Sequence, residues 1–469
     1  MEEAEELCQA KTQNDIAFEA ADLLYFAMTK CIAAGVSLNE VERQLDRKAL
    51  KIKRRKGDAK GKWAEKEGLA SAEPKDPEPE IADAVATEIK MTRYDTKTVA
   101  RADIEEALRR PSQRSTESIM GIVIPIIQAV KKSGDKALLE YTHKFEKATS
   151  LTSPVLKAPF APELMKITPE VKAAIDLSFN NIFKFHSAQA ESKPLEVETM
   201  PGIICSRFSR PIERVGLYVP GGTAVLPSTA MMLGVPALVA GCEKIVLASP
   251  PRSDGSVTPE IVYIAHKVGA ESIVLAGGAQ AVAAMAYGTE TVSKVDKILG
   301  PGNQFVTAAK MVVSNDTSAG VAIDMPAGPS EVLVIADETA NPAFVASDLL
   351  SQAEHGVDSQ VVLIAISLNE EQLGAIEKEL HVQASNLPRV DIVKGAIDHS
   401  VTLQVSSIEE AMELSNYYAP EHLILQVKKA EGVVSLVKNA GSVFIGPWTP
   451  ESVGDYSAGV NHSLRKSLK

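Results

Sequence analysis

The spacing of apolar residues changes character along the chain. Within residues 1–50, "NDIAFEAADLLYFAMTKCIAAG" carries apolar positions at helical intervals and ends at Gly35. "SLNEVERQLDRKAL" follows, with Ser37 at a cap position and Glu40 three residues later, a capping-box pattern. The next stretch, "KIKRRKGDAKGKWAEKEGLASAEPKDPEPE", is charged, contains proline and is poor in apolar residues, which predicts a linker. The basic cluster Lys53 to Lys56 reads as a solvated helix end rather than a nuclear signal. The expected division is an all-α helical segment over 1–56, a linker over 57–94 and a folded region over 95–469.

From about residue 95 the pattern alternates strand and helix. "RVGLYV" (214–219), "KIVLAS" (244–249), "SIVLA" (272–276), "EVLVIA" (331–336) and "QVVLIAI" (360–366) are short, branched, apolar runs. Helical segments with legible ends lie between several of them. Thr258-Pro259 opens one that Gly269 closes, and Asn341-Pro342 opens another, expected to run through His355 to Gly356. Buried parallel strands alternating with helices predict a doubly wound α/β architecture. No internal repeat is readable in the residues.

Composition narrows the class. At 469 residues the chain is long enough for two or more domains. With 45% hydrophobic and 23% charged residues it reads as an ordinary soluble globular protein. A formal charge of -12 gives a nucleic-acid partner no overall electrostatic support. The four cysteines, Cys8, Cys31, Cys205 and Cys242, show no CxxC spacing, so neither a zinc knuckle nor a disulfide framework is suggested. That fits a reducing, cytoplasmic setting. No signal peptide is seen, and the richest apolar run, near 119–130, is short and interrupted by Pro125, so no membrane span is expected.

Four stretches carry candidate chemistry. In "LLSQAEHG" (349–356), Gln352 and His355 fall one turn apart at an expected helix end, where the helix dipole favours a cation. The plain alternative is a histidine favourable at any helix C-terminus. In "NYYAPEHLIL" (416–425), Glu421 and His422 precede an apolar run, a placement suited to proton transfer, against the alternative of a surface pair before a strand. "PWTPESVGDYSAGVNH" (447–462) is rich in Gly, Pro and Ser and reads as a loop that presents Asp455 and His462, or as an ordinary turn. Glycine turns at 218–228, 276–284 and 299–305 follow strand-like runs, and the first two open helices. Amides at such helix starts hold phosphates, although none of the turns is GxGxxG.

Taken together, "IDMPAGPSEVLVIADETANPAFVASDLLSQAEHG" (323–356), "KSGDKALLEYTHKFEK", "ERVGLYVPGGTAVLPSTAMM", "AGCEKIVLASPP", "GGAQAVAAMAYGT", "KILGPGN" and "PEHLI" resemble histidinol dehydrogenase from roughly residue 95 to residue 462. The resemblance implies two Rossmann-like doubly wound domains. It also implies a zinc- and NAD-dependent oxidation of L-histidinol to L-histidine through a bound aldehyde, in a homodimer. By matching motif, Gln352 and His355 in SQAEH and Asp455 in GDY are zinc ligands, and Glu421 and His422 in PEH are the catalytic pair. His422 would remove the alcohol proton, and Glu421 would activate water against the aldehyde. Ser330 and His462 match substrate-contacting positions, which Gln352, His355, His422 and Asp455 share. Tyr218, Gln280 and Asn303 match NAD contacts.

Glu2, Glu3 and Glu6, then Glu19 and Asp22, resemble the EExxE…ExxD magnesium motif of phosphoribosyl-ATP pyrophosphohydrolase, which implies magnesium held by Glu3, Glu6, Glu19 and Asp22. This order of modules resembles the multifunctional histidine-biosynthesis enzymes of fungi. The family's tail after the Asn-His pair, with a fourth zinc ligand and a substrate-contacting glutamate, does not follow in "NHSLRKSLK", so weak zinc binding and impaired oxidation are expected. Two other classes stand beside this one. One is a non-catalytic protein that keeps the fold and binds NAD or a partner. The other is an aldehyde-dehydrogenase-like enzyme with a cysteine nucleophile, which the expected strand and helix-end positions of Cys205 and Cys242 disfavour.

Overall fold

The computed structural model describes residues 88–111, 116–190, 193–221, 226–325 and 330–460. The helical segment expected over 1–56 lies outside them, with Glu3, Glu6, Glu19 and Asp22. The described chain opens with β1 (Thr92–Asp95), α1 (Arg101–Ala107) and the long, kinked α2 (Thr116–Phe145). β1 pairs in parallel with a strand more than three hundred residues away, so the folded region starts within the expected 57–94 linker. "TRYD" offers one aromatic residue and no alternation, and its edge position buries little of it, so periodicity had nothing to register.

The first domain runs β2 (Val155–Lys157), α3 (Pro169–Gln189), a hairpin of β3 (Leu195–Met200) and β4 (Ile203–Arg207), then β5 (Arg214–Tyr218), α4 (Pro227–Ala240), β6 (Lys244–Ala248), α5 (Pro259–Lys267), β7 (Ser272–Val274), α6 (Gly278–Tyr287), β8 (Lys297–Leu299), α7 (Gln304–Asn315) and β9 (Ala322–Ile323). Its sheet has the order β2-β7-β6-β5-β8-β9, parallel except for β2. The second domain runs β10 (Glu331–Ala336), α8 (Pro342–Ala353), β11 (Gln360–Ile366), α9 (Glu370–Ser385), α10 (Val390–Ile397), β12 (Val401–Val405), α11 (Ile408–Tyr418), β13 (His422–Gln426) and β14 (Ser442–Ile445). Its order is β1-β12-β11-β10-β13-β14, parallel throughout.

These strands are continuous apolar runs because both faces of each sheet are covered. Ile245 and Leu247 pack into one cluster and Val246 and Ala248 into the cluster on the other face. In the second domain Val332, Val334 and Ala336 face one cluster while Leu333 and Ile335 face another. The helix starts follow the expected chemistry: Pro259 is the first residue of α5, and the Asn341 side chain accepts from the Ala343 amide at the start of α8. The third glycine turn also opens a helix, since the Asn303 side chain accepts from the Phe305 and Val306 amides and caps α7.

Leaving out β1 and β2, both sheets share one order, with the first strand central and the chain reversing direction beside it. The two domains are therefore structural repeats that the residues did not reveal. Such sheets bind ligands at the carboxyl ends of the strands where the order reverses. That point lies between β5 and β8 in the first domain and between β10 and β13 in the second. In the second it is tied shut: the Asp337 carboxylate accepts from the Lys428 amide, and the Asp337 amide donates to the Gln426 carbonyl.

Candidate active site

The proton-transfer candidates lie at the amino edge of the second sheet, opposite its switch point. Tyr418 ends α11, and Ala419 takes a left-handed conformation at φ 53° that turns the chain into β13. Arg110 fixes this turn. Its guanidinium donates to the Tyr418 and Ala419 carbonyls at 2.9 and 3.2 Å and grips the buried Glu331 carboxylate at 2.5 and 2.8 Å. His422, the first residue of β13, is 2% exposed, and its Nδ1 lies 2.9 Å from the Glu331 carbonyl oxygen. A carbonyl only accepts, so Nδ1 carries the proton and Nε2 is the basic nitrogen. Glu421 is half-buried beside it.

The expected metal stretch meets this edge. α8 ends at Ala353, two residues before the expected end, because the His355 amide closes a tighter turn onto the Gln352 carbonyl. Gln352 is 1% exposed on the last turn, and His355 stands exposed beyond it, with Nδ1 3.2 Å from the Ser330 hydroxyl. The expected loop after Trp448 is helical in part, with a short helix at Glu451–Val453 and a wide turn at Gly454–Ala458. Glu451 is 2% exposed and accepts from Gln352 Nε2 at 2.5 Å and Ser351 Oγ at 2.6 Å. Only Nε2 can donate to a carboxylate, so Gln352 Oε1 points the other way, buried and with no donor among the described residues. A Cβ on Gly454 would lie 2.3 Å from the Phe444 ring, and that ring packs against His422 with centroids 6.0 Å apart. The same turn reaches the first domain, where Asn181 Nδ2 donates to the Ser457 carbonyl at 3.0 Å.

Four expected site residues, Ser330, Gln352, His355 and His422, are thus brought together, with Glu421 adjoining. His462 lies outside the described residues, as does the side chain of Asp455. Among the described residues no three His, Cys, Asp or Glu side chains converge as a metal site would require. The donor set nevertheless fits a cation, because Gln352 Oε1 is a buried acceptor with no donor among the described residues, three positions before His355 in the chain.

The expected cofactor residues sit at the carboxyl edge of the first sheet. Tyr218 ends β5, and its hydroxyl accepts from the Gly278 amide at 3.0 Å. Gln280, 1% exposed on the first turn of α6, donates through Nε2 to Glu146 Oε1 at 3.2 Å. Burial pushes the Tyr218 phenol up to about 12. Asn303 is exposed and capping, in the segment where a Cβ on Gly300 would meet the Tyr218 carbonyl at 2.2 Å. Neither described cysteine offers a nucleophile: Cys205 lies in the exposed hairpin strand β4, and burial pushes the Cys242 thiol up, opposite to activation.

The sequence model of histidinol dehydrogenase matches residues 108–467. The chain belongs to the histidinol dehydrogenase family. The model of phosphoribosyl-ATP pyrophosphohydrolase matches residues 1–49, outside the described ones. The chain is 71% identical over 471 aligned residues to the histidine biosynthesis trifunctional protein of Neurospora crassa, covering 99% of this chain and 54% of that one. The chain thus spans about half the length of that relative. It is 58% identical to the histidinol dehydrogenase of Schizosaccharomyces pombe, over 80% of this chain and 85% of that protein. The crystal structure of histidinol dehydrogenase from Elizabethkingia anophelis superposes with a TM-score of 0.74 at 46% identity, covering 79% and 84% of the two chains.

For this family member, sequence reasoning missed Glu451, the Arg110–Glu331 pair and Glu146. Glu451 sits three residues before the glycine of GDY and carried no signal beyond being an acid in a polar stretch. Arg110 and Glu331 are 221 residues apart, and no spacing rule links them.

Proposed function

We propose that this chain oxidises L-histidinol to L-histidine with NAD, through an aldehyde that stays bound, using the amino edge of the second sheet for chemistry and the carboxyl edge of the first for the cofactor. Gln352 carries the reading, because its carbonyl oxygen, turned away from Glu451, is buried and has no donor among the described residues, which suits a cation that His355, one turn on in the chain, would also hold. Gln352, His355 and Asp455 would hold zinc, which polarises the alcohol oxygen when bound. Tyr218, Gln280 and Asn303 would hold NAD, which would supply the hydride acceptor for each of the two oxidations, alcohol to aldehyde and hydrated aldehyde to acid. His422 removes the alcohol proton through Nε2, since Nδ1–H is committed to the Glu331 carbonyl. Glu421 then takes the proton of the water that attacks the aldehyde. Ser330 and His462 orient the substrate.

The same reading takes 1–56 as the pyrophosphohydrolase-like segment, with magnesium on Glu3, Glu6, Glu19 and Asp22. It takes the stretch from 57 up to the core residues Ile89 and Met91 as linker, shorter than the expected 57–94, and the rest as the dehydrogenase. A homodimer is the proposed assembly. The β3–β4 hairpin stands exposed with Leu195, Val197, Met200, Ile203 and Ile204, a surface suited to a second copy. A cytoplasmic site is proposed with it, and no helix among the described residues is long and apolar enough to cross a membrane. The net charge of -12 gives no support to nucleic acid.

The test separates the two half-reactions. With histidinol, His422→Ala is expected to lose NADH formation by about 10²–10⁴-fold, while Glu421→Gln mainly slows oxidation of supplied histidinal. Equal, mild losses in both variants on both substrates would overturn the assignment.

A further inference from the structure

Glu146, near the end of "KSGDKALLEYTHKFEK", is given no role in the reading above, yet it joins the first domain's carboxyl edge. It follows the last residue of α2 and sits just before Lys147, whose φ of 63° turns the chain away. Its Oε1 accepts from the Gly277 amide and from Gln280 Nε2, each at 3.2 Å. Its Oε2 is buried, with no donor among the described residues. The neighbouring backbone is cleared of side chains. A Cβ on Gly277 would lie 2.8 Å from Glu146 Oε1, and one on Gly221 would lie 2.6 Å from the Pro250 ring. The carbonyl oxygen of Gln280 sits on the opposite side of the amide, where a Cβ on Gly278 would lie 2.9 Å from it. Gly278 itself has a φ of 57° and gives its amide to Tyr218.

The two ends of an amide are nearly isosteric, so packing alone does not decide which one faces the turn. A carboxylate decides it, because it accepts only. We propose that Glu146 is a positioning residue for the dinucleotide site: by accepting from Gln280 Nε2 it holds the Gln280 carbonyl oxygen toward the Gly277–Gly278 turn, where it receives a hydroxyl or amide donor of the cofactor. The inference rests on the NAD reading given above. Burial pushes Glu146 up to about 7, and the Gly277 and Gln280 donors oppose that rise by favouring the charged, accepting form.

Glu146→Gln tests this without removing volume. The new side chain keeps an acceptor for the Gly277 amide but adds a donor, so Gln280 is free to turn its amide over. Binding of NAD is measured by titration calorimetry on the zinc-loaded full chain, in a double-mutant cycle with Gln280→Ala. Circular dichroism checks the fold of each variant, and Glu146→Asp replaces Glu146→Gln in the cycle if the latter unfolds. The expected result is about tenfold weaker NAD binding in Glu146→Gln, and no further weakening when the same change is made in Gln280→Ala. Equal weakening in both backgrounds would overturn the proposal, since Glu146 would then act independently of Gln280. Unchanged binding in Glu146→Gln would overturn it as well. A parent chain that binds no NAD would overturn the cofactor reading itself, an outcome distinct from the other two.

Discussion

Glu451→Gln should separate the orientation of Gln352 from the stability of the loop that holds it. The parent carboxylate is 2% exposed and takes two charge-assisted hydrogen bonds, from Ser351 Oγ and Gln352 Nε2. Each such bond is worth about 1.5–3 kcal/mol, so Glu451→Ala, which deletes both and opens a void, should destabilise the fold by roughly 3–5 kcal/mol. Glu451→Gln keeps the shape and one acceptor, and should destabilise by only about 1–2 kcal/mol. Its amide donates as well as accepts, so Gln352 can reverse and present Nε2 outward. A ligand that loses its outer partner typically loses about 10–100-fold in metal affinity. Zinc affinity is read by competition with a chelator after dialysis, and stability by urea unfolding with and without zinc. The expected pattern is a large loss of zinc affinity in Glu451→Gln with a small loss of stability. If Glu451→Gln binds zinc as the parent does, the Gln352 oxygen is not a ligand and Glu451 only fastens a loop.

Two further outcomes follow from buried charges. Burial raises Asp348 from 3.8 to about 6, against the single hydrogen bond from Gln426. A carboxylate raised in the folded state binds more protons there, so its penalty is fully present above about pH 6 and is relieved as pH falls toward 4. Asp348→Asn should therefore be more stable than the parent by roughly 3 kcal/mol at most above pH 6, with the gap closing by pH 4 in thermal melts; a constant gap refutes it. Arg110→Met strands the buried Glu331 carboxylate and should lose about 2 kcal/mol, discounted because the arginine is partly exposed. Adding Glu331→Gln should recover part of this in urea melts, and no recovery would show that the ion pair is not the cause.

Legibility in the sequence tracked how each feature is encoded. "EVLVIA" and "QVVLIAI" match β10 and β11 residue for residue, because a strand covered on both faces is apolar at every position after its first, polar one. The starts of α5 and α8 are readable from Thr258-Pro259 and Asn341-Pro342, because caps are local. β1 was not, because an edge strand that buries little needs no pattern. The loop expected after Trp448 is partly helical, since Gly454 is there to fit against Phe444 rather than to break a helix. His355 was read into α8 because its spacing from Gln352 is helical, while the backbone leaves the helix first. The domain repeat was hidden because strand order leaves no trace in residue identity. The contacts that orient Gln352, His422 and Gln280, from Glu451, Glu331 and Glu146, join residues roughly 90–135 apart, beyond any spacing rule.

Those contacts share one physical problem. Gln352, Gln280 and His422 are each side chains whose two polar ends are interchangeable in shape and opposite in hydrogen-bonding role. A site that needs an acceptor at a fixed point must break that degeneracy, and the partner group does so by being able only to accept. A carboxylate does it for both glutamines, and a backbone carbonyl for the histidine. Two charged partners were usable because each glutamine is uncharged, so no like-charge pair forms, whereas a glutamate in the place of either would put two carboxylates within hydrogen-bond distance and force one to take a proton. The histidine instead meets the neutral carbonyl of Glu331, while the charge of that same residue is turned away onto Arg110. A carboxylate against Nδ1 would stabilise the protonated ring, making Nε2 a stronger base that releases its proton less readily, whereas a carbonyl fixes the tautomer with less bias toward the charged form.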